Sequence, residues 1–360
     1  MSRAPLVAAL VAALAAALVV ASLSQAAADG KRPDVWQRAL DPARSDAARE
    51  TYQRELREGD DHVTQAGIRS SSASAIREQV QRAIEAYRRA AAAQPEAAEP
   101  YFRIGMVLWS FYLQNCDSDT RFGSTRSPLA DCSAPDAINT TIAEQTIKAW
   151  DTFEAKAPLD PRLSGELGGI LFSRAIIHTK LATSAHLAAA ARDYEAIVQR
   201  TDGKGEVLIV TWPNLAETYM MLGRLEDAID AYRESLRTAS RTSTWYGLAV
   251  ALDRDGRGSL ARDVVVAQGI AGFRQFQNDL ASHQTFYVPR GDDYYYRALV
   301  EESLGMYDEA LDHWNKFISS GAHPQFQPRA KEHVDAILAK RRAGQLPKPP
   351  TDFYRMDLMR

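Results

Sequence analysis

The 360-residue sequence predicts an all-α fold built from antiparallel helix pairs. Three observations carry that prediction. Residues 212–240 hold two helical patterns back to back: Trp212, Leu215, Ala216 and Tyr219 fall at i, i+3, i+4 and i+7, and Ala228, Tyr232 and Ser235 repeat the spacing. Leu222-Gly223 stands between them, and a residue without Cβ takes the left-handed turn conformation cheaply. The same two-helix pattern recurs along the chain, with small residues such as Ala216 and Ala228 where helices approach closely.

A large residue, Leu, a small residue and Tyr, then a turn glycine, Ala and an aromatic, make residues 212–240 resemble a tetratricopeptide repeat (TPR). Ser240 stands where that family usually has proline. The resemblance covers roughly residues 76–324 and implies a TPR-like α-solenoid, with helix pairs stacking into a right-handed superhelix.

Residues 29–75 read as an atypical N-terminal helical cap and loop. Ser45-Asp46 caps a short helix to about Glu58, and residues 69–74 are Ser-rich loop. Residues 76–93 form a second helix of a repeat, with Ala83, Tyr87 and Ala90 in place and Pro95 ending it. Pro100 opens a first helix carrying Tyr101, Ile104, Gly105 and Leu108. Residues 114–136 read as an insertion in the turn, and the paired helix runs from near Ala137 to Lys156. A stretched unit follows, with Leu167, Gly168 and Leu171, then Ala190, Tyr194 and Ile197. After 212–240, Trp245, Leu248, Ala249 and Leu252 begin a unit whose turn is Gly256 and whose second helix holds Ala261 and Val265. Residues 273–290 break the period. The last clear unit holds Tyr294, Ala298, Leu304-Gly305, Ala310, Trp314 and Phe317. Residues 325–343 form a polar capping helix with Val334, Ile337 and Leu338 on one side, and 344–360 an extended Pro-rich tail.

Residues 1–28 read as a secretory signal peptide. Arg3 precedes an apolar run over 6–23, and small residues up to Ala28 offer a cleavage site. The other reading is an uncleaved anchor, because the run is long enough to span a bilayer. Cleavage removes Arg3 alone among charged residues and shifts the formal net charge from −3 to −4. The mature chain is therefore mildly acidic, which argues against nucleic acid as a partner. No later stretch suits a membrane span.

Cys116 and Cys132 flank a polar segment without helical period. In an exported chain an even count suggests a bridge, which by loop entropy contributes ~3 kcal/mol. Free thiols are the alternative. The spacing does not suit a metal site.

Catalytic signatures are missing: the sequence holds no H-E-x-x-H, no G-x-S-x-G, no P-loop and no dinucleotide fingerprint. No cofactor or metal is expected. His178 and His186 share a helical face without a third ligand. Asp292-Asp293 suits a helix N-terminus, Glu301-Glu302 a solvated face, and Glu217 an outward position whose truncation is nearly neutral. Asn139-Thr140-Thr141 matches the glycosylation acceptor pattern.

The function that follows is a non-enzymatic scaffold outside the cytoplasm, periplasmic or secreted, binding a protein or peptide. The alternative is a hydrolase or transferase of cell-envelope polymers. The family's register points Phe102, Met106, Trp109, Phe172, Met220, Met221, Tyr246 and Tyr295 into a concave groove. Aromatic and Met side chains suit an adaptable protein surface. The positions that clamp a carboxylate in some family members hold Phe102, Met106, Pro213, Glu217, Tyr246 and Val250, so that clamp is not implied. The competing reading makes the groove residues core, covered by stretched helices or by the 273–290 loop.

Overall fold

The computed structural model describes residues 46–67, 72–113, 128–130, 137–157, 163–201, 203, 205–281 and 285–346. The expected signal peptide, Cys116 and Cys132, and the tail beyond residue 346 lie outside the described residues, as does the expected 114–136 insertion apart from 128–130. Among the described residues there are thirteen α-helices and no sheet, and the helices pack as consecutive antiparallel pairs ending in a capping helix. The chain divides into two compact units, residues 1–130 with 151–160, and residues 131–150 with 161–360.

In the first unit α1 (Asp46–Ala66) packs along α2 (Ala73–Ala93), and α3 (Glu99–Leu108) follows. Ser72 caps α2, its hydroxyl accepting the Ala75 N–H at 3.2 Å. α1 runs beyond the short helix expected to Glu58, and Tyr52 and Leu56 are buried on its inner face. The α1–α2 contact is close because Gly59 lies under Tyr87: a Cβ there would meet the ring at 2.3 Å. The Tyr87 hydroxyl donates to Asp60 at 2.7 Å, and Arg103 of α3 bridges Asp60 and Glu99. α3 ends in a π-helical turn, Trp109–Leu113.

α4 (Thr140–Lys156) is capped by Asn139, whose side-chain oxygen accepts the Ile142 N–H at 3.1 Å. The second unit continues with α5 (Leu167–Leu181) and α6 (Ser184–Arg200), α7 (Leu208–Met221) and α8 (Leu225–Thr238), α9 (Thr242–Arg254) and α10 (Gly258–Ala281), and α11 (Asp293–Ser303) and α12 (Tyr307–Ser320). α13 (Gln327–Arg342) packs on α12 and closes the stack.

The turns show the repeat directly. At Gly223 φ is 74°, and the Arg224 N–H reaches back to the Tyr219 carbonyl at 2.9 Å. Gly256 and Gly305 do the same, with Arg257 bonding Leu252 and Met306 bonding Glu301, each at 2.8 Å. This six-to-one bond around a left-handed glycine ends a helix and reverses the chain. The α5–α6 turn instead places Ala182 at φ 55°, which costs a residue with Cβ about 1 kcal/mol.

α7 begins one turn earlier than the Trp212 pattern indicates and keeps Pro213 inside it. The 273–290 region also differs from expectation. α10 continues to Ala281 after a break at Gly269 (φ 62°), and its second half buries Phe273 and Phe276. In α13, Ile337 is buried while Leu338 is 38% exposed, so polar contacts do more than an apolar stripe to seat it.

Candidate functional site

Two buried carboxylates, one on α7 and one on α9, organise the polar interior of the second unit. Glu217 has no exposed surface. Its Oε2 accepts the hydroxyls of Tyr232 from α8 at 2.9 Å and Tyr296 from α11 at 2.8 Å. Glu217 Oε1 has no hydrogen-bond partner among the described residues. Arg254 of α9 donates to Asp292 and is sandwiched between the rings of Tyr295 at 4.4 Å and Phe326 at 4.2 Å. Burial, and then the charge of Asp292, push the Glu217 carboxyl up to about 8. The Arg254 guanidinium and the two phenol bonds pull the other way but do not overcome it.

Phe286 closes this pocket. Its ring lies 5.6 Å from Tyr232 and 6.3 Å from Tyr296, and the following N–H, of Tyr287, donates to Asn214 Oδ1 at 3.0 Å. The Tyr287 N–H thus meets α7, while the Phe286 ring lies against α8 and α11. The outward position expected for Glu217 is corrected here: α8, α11 and the Phe286 segment all cover it. Asp292 and Asp293 do stand at the N-terminus of α11, as expected, but the buried Asp292 side chain pairs with Arg254 and makes no cap bond; Glu301, expected on a solvated face, is buried against His313, 2.6 Å from its Nδ1.

Asp253, the neighbour of Arg254, has the opposite surroundings. Arg329 Nη2 donates to its Oδ1 at 2.7 Å; Tyr295 at 2.7 Å and His333 Nε2 at 2.9 Å meet its Oδ2. Burial alone would raise this carboxyl, but the bonds from His333 and Arg329 hold it well below the usual carboxylate range. His333 also places Nδ1 2.8 Å from Glu302 Oε2 and stacks on Trp314 at 4.5 Å. Burial would lower this imidazole, yet its bonds to Asp253 and Glu302 push it up to about 9.

The residues expected in a groove separate into two sets. Phe102, Met106 and Trp109 are half-buried, at i, i+4 and i+7 along α3 and its π-helical turn, and Phe102 packs on Phe153 at 5.5 Å. Phe172 is half-buried too, 5.8 Å from Tyr194. Met220, Tyr246 and Tyr295 have no exposed surface and Met221 little. Tyr246 packs on Phe276 at 4.8 Å, and Tyr295 lies against Trp314 at 4.7 Å and Phe317 at 5.0 Å. These four belong to the packed interior; the second half of α10 covers Tyr246, and the paired α12 covers Tyr295.

His178 and His186 face each other, Nδ1 to Nδ1 at 2.8 Å, beside the buried bidentate pair of Arg174 and Asp193. Burial, then the nearby His186 and Arg174, lower the His178 imidazole to about 4, so it is neutral near pH 7. Among the described residues no group of three or more His, Cys, Asp or Glu is placed to hold a metal ion. No helix among them is long and apolar enough to cross a membrane.

Compared with known proteins, the chain matches no family model and no curated protein. The functional reading therefore rests on the geometry.

Proposed function

We propose that the protein is a non-enzymatic interaction scaffold acting outside the cytoplasm, after loss of a leader cleaved near Ala28, and that it binds an extended segment of a partner protein. The observation that carries this reading is the seating of residues 285–287. There the paired-helix framework holds a short irregular piece of polypeptide through a side-chain amide to a backbone N–H and an aromatic surround for one ring. Backbone contacts of this kind accept many sequences, and the aromatic pocket adds selectivity. The half-exposed aromatic and Met row Phe102, Met106 and Trp109 on α3 offers a comparable surface in the first unit. Its π-helical end is a rare geometry that recurs at functional sites. Glu217, whose carboxyl is pushed up to about 8, is fully buried, which supports a structural role for it over an envelope-polymer chemistry.

Cross-linking and capture from an extracytoplasmic fraction tests this. Trp109→Ala is expected to lower recovery of a saturable protein partner about fivefold or more, the loss typical of an aromatic anchor, while the melting temperature stays within about 2 °C. Unchanged recovery, or early unfolding of the variant, contradicts the assignment. Turnover of envelope glycans by the purified protein would favour the enzymatic alternative.

A further inference from the structure

Among the polar contacts that attach α13, the two made by His333 depend on one proton. A neutral imidazole has one N–H and one lone pair, and ionised carboxylates only accept. His333 nonetheless meets a carboxylate oxygen at each nitrogen, Asp253 Oδ2 at 2.9 Å and Glu302 Oε2 at 2.8 Å. Both contacts are hydrogen bonds only when both ring nitrogens carry hydrogen. The imidazolium is then the link that ties α13 at once to α9 and α11, and its flat contact with the Trp314 indole adds a cation over an aromatic face.

We propose that α13 is latched by this proton: charged His333 docks the helix on α9 and α11, and α13 undocks when an alkaline medium neutralises the ring. The groups facing His333 set the direction. From α9 comes Asp253; from α11 come Glu302 and the Tyr295 hydroxyl, which donates to Asp253. From α12 come the Trp314 indole, donating to Glu302 Oε2 at 3.0 Å, and, nearer the helix end, Asp308 paired with Arg341. α13 itself supplies Arg329, bound to Asp253, and Glu332. Two carboxylates and one arginine thus adjoin the ring, so losing its charge leaves the carboxylates in excess and sets a lone pair against an oxygen.

The sign follows. The folded imidazole lies at about 9, above its ordinary 6.5. Its contribution to docking is full below 6.5, declines as the pH rises, and is gone above about 9. An acidic or neutral medium keeps the latch shut. Release would uncover the Trp314 side of α12, the surface a terminal helix of a stacked array exists to cover.

Subtilisin, which cuts across this pH range, reads the undocking when its products are identified by mass spectrometry. Cleavage within 327–342 is normalised to cleavage within 73–93 of the same intact protein. Relative cleavage of wild type is expected to rise about tenfold between pH 7 and 10, as a locally opened helix becomes accessible. His333→Gln should be cut readily at every pH without a step, and Glu302→Gln, which removes one of the two carboxylates, should move the step to lower pH. Glu217→Gln should keep the wild-type step. A flat wild-type profile, a persisting step in His333→Gln, or an unmoved midpoint in Glu302→Gln would each overturn the proposal.

Discussion

Glu217 and Asp253 are both fully buried carboxyls on consecutive first helices, and their surroundings shift them in opposite directions. Asp253 receives a guanidinium, an imidazolium and a phenol. Glu217 receives two phenols, keeps one oxygen without a partner among the described residues, and is raised more by Asp292 than it is lowered by Arg254. One carboxyl is driven down and the other pushed up to about 8. Burial is common to both, so the difference comes from the donors: desolvation always favours the neutral acid, and only sufficient positive charge and N–H or O–H bonding reverses it.

Removing each acid should reveal the contrast. Asp253→Ala leaves Arg329 and His333 without their shared counter-ion and is expected to cost about 3–5 kcal/mol in chemical denaturation, the range for stranding one side of a buried pair. A cost near zero would mean that the α13 contacts are not formed in solution. Glu217→Ala leaves two buried phenols without an acceptor and opens a void, a loss of about 2–4 kcal/mol. Glu217→Gln keeps an acceptor and matches the volume of a neutral acid, so its cost should stay under about 1 kcal/mol. If Gln costs as much as Ala, the carboxyl is ionised and this account of the pocket fails.

The pH dependence sharpens the comparison. Glu217 has a folded value of about 8 against its ordinary 4.5, so its contribution is full below 4.5 and falls away by about 8. Asp253 works in the other direction: its contribution is present above its ordinary 3.8 and is lost only in stronger acid. The melting temperature of wild type should therefore fall from pH 5 to pH 8, and Glu217→Gln should flatten that fall. A wild-type profile rising over this interval would contradict the assignment.

Much of the helix pairing could be read from the sequence because its signals are local. Gly223, Gly256 and Gly305 mark turns, and Ala216 and Ala228 mark close approaches; both alanines are fully buried. The polar interior could not be read this way. Arg329 and Tyr295 reach Asp253 across sequence separations of 76 and 42 residues, far beyond any helical period. Glu217 looked exposed because a charge beside Ala216 fits a solvated flank, and nothing nearby in sequence announces Tyr296 or Phe286. The groove register failed at Tyr246 and Tyr295 for a related reason: α10 is longer than the repeat pattern allows, and its Phe276 fills the space beside Tyr246. On α3 and the π-helical turn that follows it, the same register leaves Phe102, Met106 and Trp109 half-buried.

Infrared difference spectroscopy of the full-length protein tests the central contrast most directly. At pH 7 wild type should show the carbonyl stretch of one buried, protonated carboxylic acid, and Glu217→Gln should abolish that band. If the wild-type spectrum shows only ionised carboxylates at pH 7, or if the band survives in Glu217→Gln, then the two buried acids do not differ as their surroundings require.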